Sequence, residues 1–272
     1  MTTILTAICS VTAIGLICAV MLAVASKIMA VAEDERVALI RECLPGVNCG
    51  ACGFSGCAGY AAALTEGGAE MNLCIVGGNE VLSRIGSILG KEPGDGVSRR
   101  VAVVHCAGDI ETKKQKMKYS GIHTCTAAKQ LFGGQGACTY GCIGYGDCEN
   151  VCPSEAICIE KGLARIDTRK CSGCGLCART CPNNVISTEF ETIVVTVKCR
   201  SSETGAITKD KCAKGCIGCK MCVKACESEA ITVSGFFPKI DYAKCTSCGK
   251  CAEICTRGCI AQRGFTAEVR TQ

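Results

Sequence analysis

Cys171, Cys174, Cys177 and Cys181, closed by Pro182, set four thiols at the spacing C-x2-C-x2-C-x3-C-P. This is the ligand run of a bacterial-type [4Fe–4S] ferredoxin site, a one-electron centre. Three thiolates on one tight loop can cap three corners of a cubane, while the fourth points away and reaches a second cluster. Such a run needs a partner, and Cys138, Cys142, Cys148 and Cys152, closed by Pro153, supply one upstream.

Displacing the chain by 74 residues lays Cys138, Cys142, Cys148 and Cys152 on Cys212, Cys216, Cys222 and Cys226. The same shift lays Cys171, Cys174, Cys177 and Cys181 on Cys245, Cys248, Cys251 and Cys255. Self-similarity of this kind marks a duplicated unit. Between the runs of each copy lie short alternating segments, 156–159 with 164–167 and 230–233 with 238–241, which predict β-hairpins. Under the crossover rule Cys138, Cys142 and Cys148 join Cys181, and Cys171, Cys174 and Cys177 join Cys152. In the second copy Cys216, Cys219 and Cys222 join Cys255, and Cys245, Cys248 and Cys251 join Cys226. Copy one departs from the pattern because Tyr145 stands in the place of Cys219, so Cys138 has to serve at a looser spacing. Cys212 is then a spare or competing thiol. Glu227 and Thr256 replace the prolines in copy two, which changes turn stiffness and removes no ligand. Cys158, Cys199 and Cys259 read as buried thiols.

A further set lies upstream. Cys49, Cys52 and Cys57 sit on a glycine-rich loop, 44–57, and Cys74 returns later, enough for one self-contained [4Fe–4S] site. A four-thiolate zinc site is the alternative, but three close ligands and one remote one, with ferredoxin runs downstream, favour iron. Short helices are expected over 33–43 and 58–66, and Cys43 reads as a buried thiol. Between 97 and 135 a strand is expected at 101–104. Lys113, Lys114, Lys116 and Lys118 make a basic run, read as a solvated face before a docking patch for an acidic carrier. His105, Cys106, His123 and Cys125 lack metal-ligand spacing and stay outside the expected site.

Cysteine makes up 29 of 272 residues, and the chain has no Trp. Small cores of this kind lean on cross-links. Runs of C-x2-C-x2-C place sulfurs too close for independent disulfides, so the cross-links are metal. The formal charge of +5 does not imply nucleic acid. Five clusters with four thiolates each add about −10, leaving a holo charge of about −5. No G-x-G-x-x-G occurs, so no dinucleotide site is expected on this chain.

Residues 2–26 carry no charge and are mostly Ile, Leu, Val and Ala, long enough to span a bilayer. Ala30-Val31-Ala32 resembles a signal-peptidase site. The missing basic n-region and the length of the apolar stretch favour an uncleaved anchor instead. Lys27 and Arg36 follow the span, which places the bulk of the chain in the cytoplasm. Cys9 and Cys18 read as small apolar side chains within it.

The elements needed to position these cysteines make an α+β chain. It comprises a single transmembrane helix (1–27), a small, mainly helical [4Fe–4S] module (33–96), a connecting region (97–135) and two tandem two-cluster ferredoxin domains (136–199 and 207–265). The anchor, the L-P-G-V-N-C-G-A-C-G-F-S-G-C stretch and the tandem ferredoxin units together resemble the B-subunit family of Rnf-type complexes. The A-C-T-Y-G-C-I-G-Y-G-D-C-E-N-V-C-P stretch is similar to the extra unit of the longer, clostridial-type members. Ser55 stands where that family often has proline. The resemblance implies a cytoplasmic-membrane complex that oxidises reduced ferredoxin, reduces NAD⁺ and moves Na⁺ or H⁺. This chain would relay electrons from ferredoxin toward the other membrane and peripheral subunits. A polyferredoxin of another membrane reductase or hydrogenase shares the tandem runs, but it would lack the Cys49–Cys74 module.

Overall fold

The computed structural model describes residues 2–28 and 34–262. Ala30-Val31-Ala32, Glu33 and residues 263–265 of the expected second ferredoxin domain lie outside the described residues. Helix α1 (Thr2–Ile28) rises about 40 Å at 1.5 Å per residue, against a hydrocarbon core of about 30 Å. Within it 8–27 is long and apolar enough to cross a membrane. Two of its hydroxyls turn back onto the helix, Thr6 Oγ1 donating to Thr2 O (3.1 Å) and Thr12 Oγ1 to Ile8 O (2.8 Å). Such bonds spare a helix lone hydroxyls in lipid.

The next unit is helical: α2 (Glu35–Cys43), α3 (Cys57–Thr65), the short 3₁₀ turn 71–73 and α4 (Gly78–Leu89). Asp34 caps α2, its carboxylate accepting from Arg36 N at 3.0 Å. Ile40, Tyr60, Leu64 and Ile85 form the core. The Tyr60 hydroxyl donates to Glu70 O at 2.7 Å, and burial pushes its pKa up to about 12.

The rest of the chain forms two repeat units, expected above as ferredoxin units, and each contains two antiparallel strand pairs. In the first, β1 (Arg100–Val104) pairs with β4 (Ile186–Phe190) and β2 (Ile157–Glu160) with β3 (Leu163–Ile166). The short helices α5 (Cys125–Gln130), α6 (Asp147–Asn150) and α7 (Leu176–Thr180) carry or flank cysteines. In the second, β5 (Val195–Val197) pairs with β8 (Ile260–Gln262) and β6 (Ile231–Ser234) with β7 (Phe237–Ile240). Its helices are α8 (Gly205–Lys211), α9 (Met221–Lys224) and α10 (Lys250–Glu253). The two expected hairpins are present as β2–β3 and β6–β7. The outer pairs join segments far apart in sequence, so local patterning could not show them. Strand β1, assigned to the connecting region, belongs to the first unit, and β5, assigned to the first ferredoxin domain, belongs to the second.

The duplication extends to single hydrogen bonds. Asp167 N donates to Ala156 O (2.8 Å) and Asp241 N to Ala230 O (2.7 Å); Cys171 N donates to Asp167 O and Cys245 N to Asp241 O, both at 3.1 Å. The first strand follows another offset. His105 N donates to Val185 O and Lys198 N to Cys259 O, both at 2.6 Å. His105 and Lys198 are 198 − 105 = 93 residues apart, whereas Val185 and Cys259 are 74 apart. The first unit therefore carries 93 − 74 = 19 extra residues after β1, and α5 lies in that region.

Candidate iron–sulfur sites

In the helical module, Cys49 and Cys52 lie on the loop, Cys57 opens α3 and Cys74 follows the 3₁₀ turn. Asn48, at φ 50°, turns its amide oxygen to accept from Cys57 N at 2.9 Å, folding the loop over the helix start. The Cys74 thiol is pushed up by burial and then by Cys57, Cys49 and Cys52 around it. The four expected thiols are together.

The crossover sets assemble in the same way. Cys177, pushed up to about 12 by burial, also feels Cys171, Cys174 and Cys152. Cys251, raised first by burial, feels Cys245, Cys226 and Cys248. Cys216, Cys219, Cys222 and Cys255 line one cavity of about 410 Å³ with Ile217, Val233 and Ile260. Backbone N–H groups aim at several sulfurs: Ala102 N at Cys171 (3.3 Å), Ala156 N at Cys152 (3.3 Å) and Cys259 N at Cys255 (3.2 Å). Hydrogen bonds of this kind favour the thiolate and tune a cluster it ligates. Where the thiols of one set raise one another, as around Cys74, Cys177 and Cys251, they need a cationic group to ionise together, which an iron cluster provides. Both the donor set and the cavity fit the cofactor.

The remaining set differs from expectation. Cys142, Cys148 and Cys181 line a cavity of about 350 Å³, and the fourth cysteine there is Cys125, not Cys138. Cys148, pushed up to about 12 by burial, feels Cys142, Cys125 and Cys181. Asp147 fixes Cys125 in place: its carboxylate accepts from Cys125 N (2.8 Å), Thr126 N (3.0 Å) and Thr126 Oγ1 (2.9 Å). Burial works against that charge, but the hydrogen bonds outweigh it and hold the Asp147 pKa low. Gly144 (φ 91°) lets this loop lie on the β2–β3 turn, where a Cβ would collide with Gly162 O. Tyr145 turns away, its hydroxyl donating to Gln135 Oε1 (2.8 Å) and its ring 5.2 Å from His123 and 5.8 Å from Tyr119. Cys138 lines a separate cavity with Cys106. A lone cysteine on α5 gives no spacing signal; Tyr145 in the place of a cysteine is the available clue.

The other residues of the connecting region are also structural. His105 uses both ring nitrogens, on Val197 O (2.7 Å) and Ser187 Oγ (2.6 Å). Lys113 Nζ donates to Cys142 O (2.6 Å), Lys114 pairs with Asp210, and Lys116 Nζ donates to Phe132 O (2.5 Å). Three of the four lysines are thus tied into the fold. Among the described residues, no three Cys, His, Asp or Glu side chains converge tightly enough for a single metal ion.

Fold and thiol sets define a ferredoxin-type iron–sulfur protein. Residues 44–76 match an Fe–S cluster family, 164–187 a 4Fe-4S binding domain and 215–259 a 4Fe-4S dicluster domain. The chain is 41% identical to the B-subunit of the Na⁺-translocating ferredoxin:NAD⁺ oxidoreductase complex of Acetobacterium woodii, covering 91% of this chain and 74% of that one. It is 38% identical to the B-subunit of the ion-translocating oxidoreductase complex of Methanosarcina acetivorans, covering 92% and 95%. It is 39% identical to the B-subunit of the proton-translocating ferredoxin:NAD⁺ oxidoreductase complex of Clostridium ljungdahlii, covering 96% and 93%. The chain belongs to the B-subunit family of Rnf-type ion-translocating oxidoreductase complexes, and it is an iron–sulfur subunit with [4Fe–4S] domains.

Proposed function

We propose that this chain is the membrane-anchored electron relay of its complex, taking electrons from reduced ferredoxin and passing them toward the membrane subunits for eventual NAD⁺ reduction. The five thiol quartets carry this reading. Their sets are Cys49, Cys52, Cys57 and Cys74; Cys125, Cys142, Cys148 and Cys181; Cys152, Cys171, Cys174 and Cys177; Cys216, Cys219, Cys222 and Cys255; and Cys226, Cys245, Cys248 and Cys251. Each set holds one [4Fe–4S] cluster, which supplies one-electron transfer when bound. The chain's part is to ligate, to bury and to aim N–H dipoles at sulfur. Helix α1 ties the array to the membrane, with the cluster domains on the cytoplasmic side following Lys27 and Arg36. The relatives' names give different coupling ions, sodium for one and protons for another, and one helix makes no ion path.

Anaerobic purification from membranes tests the reading. The chain should copurify with other subunits as brown protein, with iron and acid-labile sulfide in equal amounts. Colourless, zinc-loaded protein in the soluble fraction would overturn it.

A further inference from the structure

Four cysteines outside the five quartets meet at one place. Cys106, Cys138, Cys199 and Cys212 line a cavity of about 350 Å³ between the two ferredoxin units, the same size as the one lined by Cys125, Cys142, Cys148 and Cys181. Cys106 and Cys138 come from the first unit, Cys199 and Cys212 from the second. The pairs are equivalent. Cys138 and Cys212 share the 74-residue shift, and Cys106 and Cys199 follow β1 and β5 at the 93-residue offset of those strands. Cys142 N donates to Cys106 Sγ at 3.4 Å, and Cys216 N donates to Cys199 Sγ at 3.4 Å. A pseudo-twofold arrangement thus offers four thiols, two from each half.

The surroundings suit an anionic metal cluster. Lys113, Lys198, Arg200 and Lys214 line the cavity, whereas a [4Fe–4S] core with four thiolates carries about −2 in its oxidised state. His105 is committed through both nitrogens, so the donors on offer are sulfur. A Cβ on Gly108 would stand 2.9 Å from Cys212 Sγ, so only glycine leaves that sulfur its place. The units are stitched here by backbone: Ala213 N donates to Thr112 O (2.8 Å) and Lys114 N to Lys211 O (2.9 Å). No three of these side chains converge on a single ion, and the same holds at the motif-derived quartets.

We propose that Cys106, Cys138, Cys199 and Cys212 hold a sixth [4Fe–4S] cluster at the junction of the two ferredoxin units. It rests on the relay function proposed above and deepens it. Cys106 accepts the N–H of Cys142 and Cys199 that of Cys216, and Cys142 and Cys216 belong to neighbouring quartets in opposite units. The sixth cluster therefore bridges the units, taking one electron from one neighbour and giving one electron to the other, with no bond made or broken.

Iron and sulfide analysis of the anaerobically purified full chain, with Mössbauer spectroscopy, tests this. Six clusters give about 24 irons per chain and five give about 20. The double variants Cys106→Ala with Cys199→Ala, and Cys138→Ala with Cys212→Ala, should each lose about four irons, while Cys43→Ala loses none. About 20 irons in the wild type, or undiminished iron in soluble double variants, overturns the sixth cluster and leaves the relay intact. If the variants do not fold, the wild-type count decides alone. A chain with zinc and no sulfide would instead overturn the relay function itself.

Discussion

The two ferredoxin units share a hydrogen-bond pattern to within a few tenths of an ångström, yet they complete their first quartets in different ways. The second unit takes three cysteines from one loop and Cys255 from across the unit. The first has Tyr145 in place of one of them and brings in Cys125 on a helix held by Asp147. The stretch between β1 and Cys138, 19 residues longer than its counterpart, thus carries the cysteine that stands in for the one the repeat lost. Exposure differs too. Cys171, Cys174 and Cys177 are buried, whereas Cys219 and Cys248 in the second unit are exposed. The two units thus gather four thiols each by different routes and with different access to solvent, and access is one determinant of a cluster's potential.

The sharpest way to break this comparison is to remove the borrowed cysteine. Cys125→Ala should cost about four irons per chain, and adding Tyr145→Cys, which restores the pattern of the second unit, should recover them. The same Tyr145→Cys change should recover nothing in a Cys138→Ala background. Iron quantitation reads both, and rescue of Cys138→Ala would return Cys138 to the first quartet. Next in size, limited air exposure followed by Mössbauer spectroscopy should show second-unit clusters lost before those of the first unit. Equal loss would mean that thiol exposure does not set access. A smaller effect is expected from Asp147→Ala, which removes charge-assisted bonds to the start of α5. It should destabilise the first unit by about 1–2 kcal/mol, seen as a lower denaturation midpoint with second-unit signals unchanged. The smallest is Cys259→Val. Cys259 occupies the place of Val185 under the 74-residue shift, and both are 1% exposed, so full iron content should survive.

Much of this was legible because cluster loops are local. The runs at Cys171 and Cys245 carry their spacing in a dozen residues, and the hairpins lie between turn glycines. Four of the five quartets follow from spacing and the crossover rule. What could not be seen was long-range. The pairing of β1 with β4 spans the whole first unit, and Cys125 reaches its quartet through tertiary contacts with Asp147. Cys106 and Cys199 correspond only once the strands show an offset of 93 in place of 74. Cys199, read as a buried thiol, is indeed buried, but burial alone did not reveal that it faces three other cysteines.

The most direct test of the central claim is electron transfer from ferredoxin to the isolated holo chain. Ferredoxin reduced by dithionite, then freed of excess reductant, would be mixed anaerobically with the oxidised full-length protein while cluster absorption is followed. Several electrons should pass to each chain, bleaching it as ferredoxin recolours, until the array is filled. A chain that stays oxidised beside reduced ferredoxin would contradict the relay.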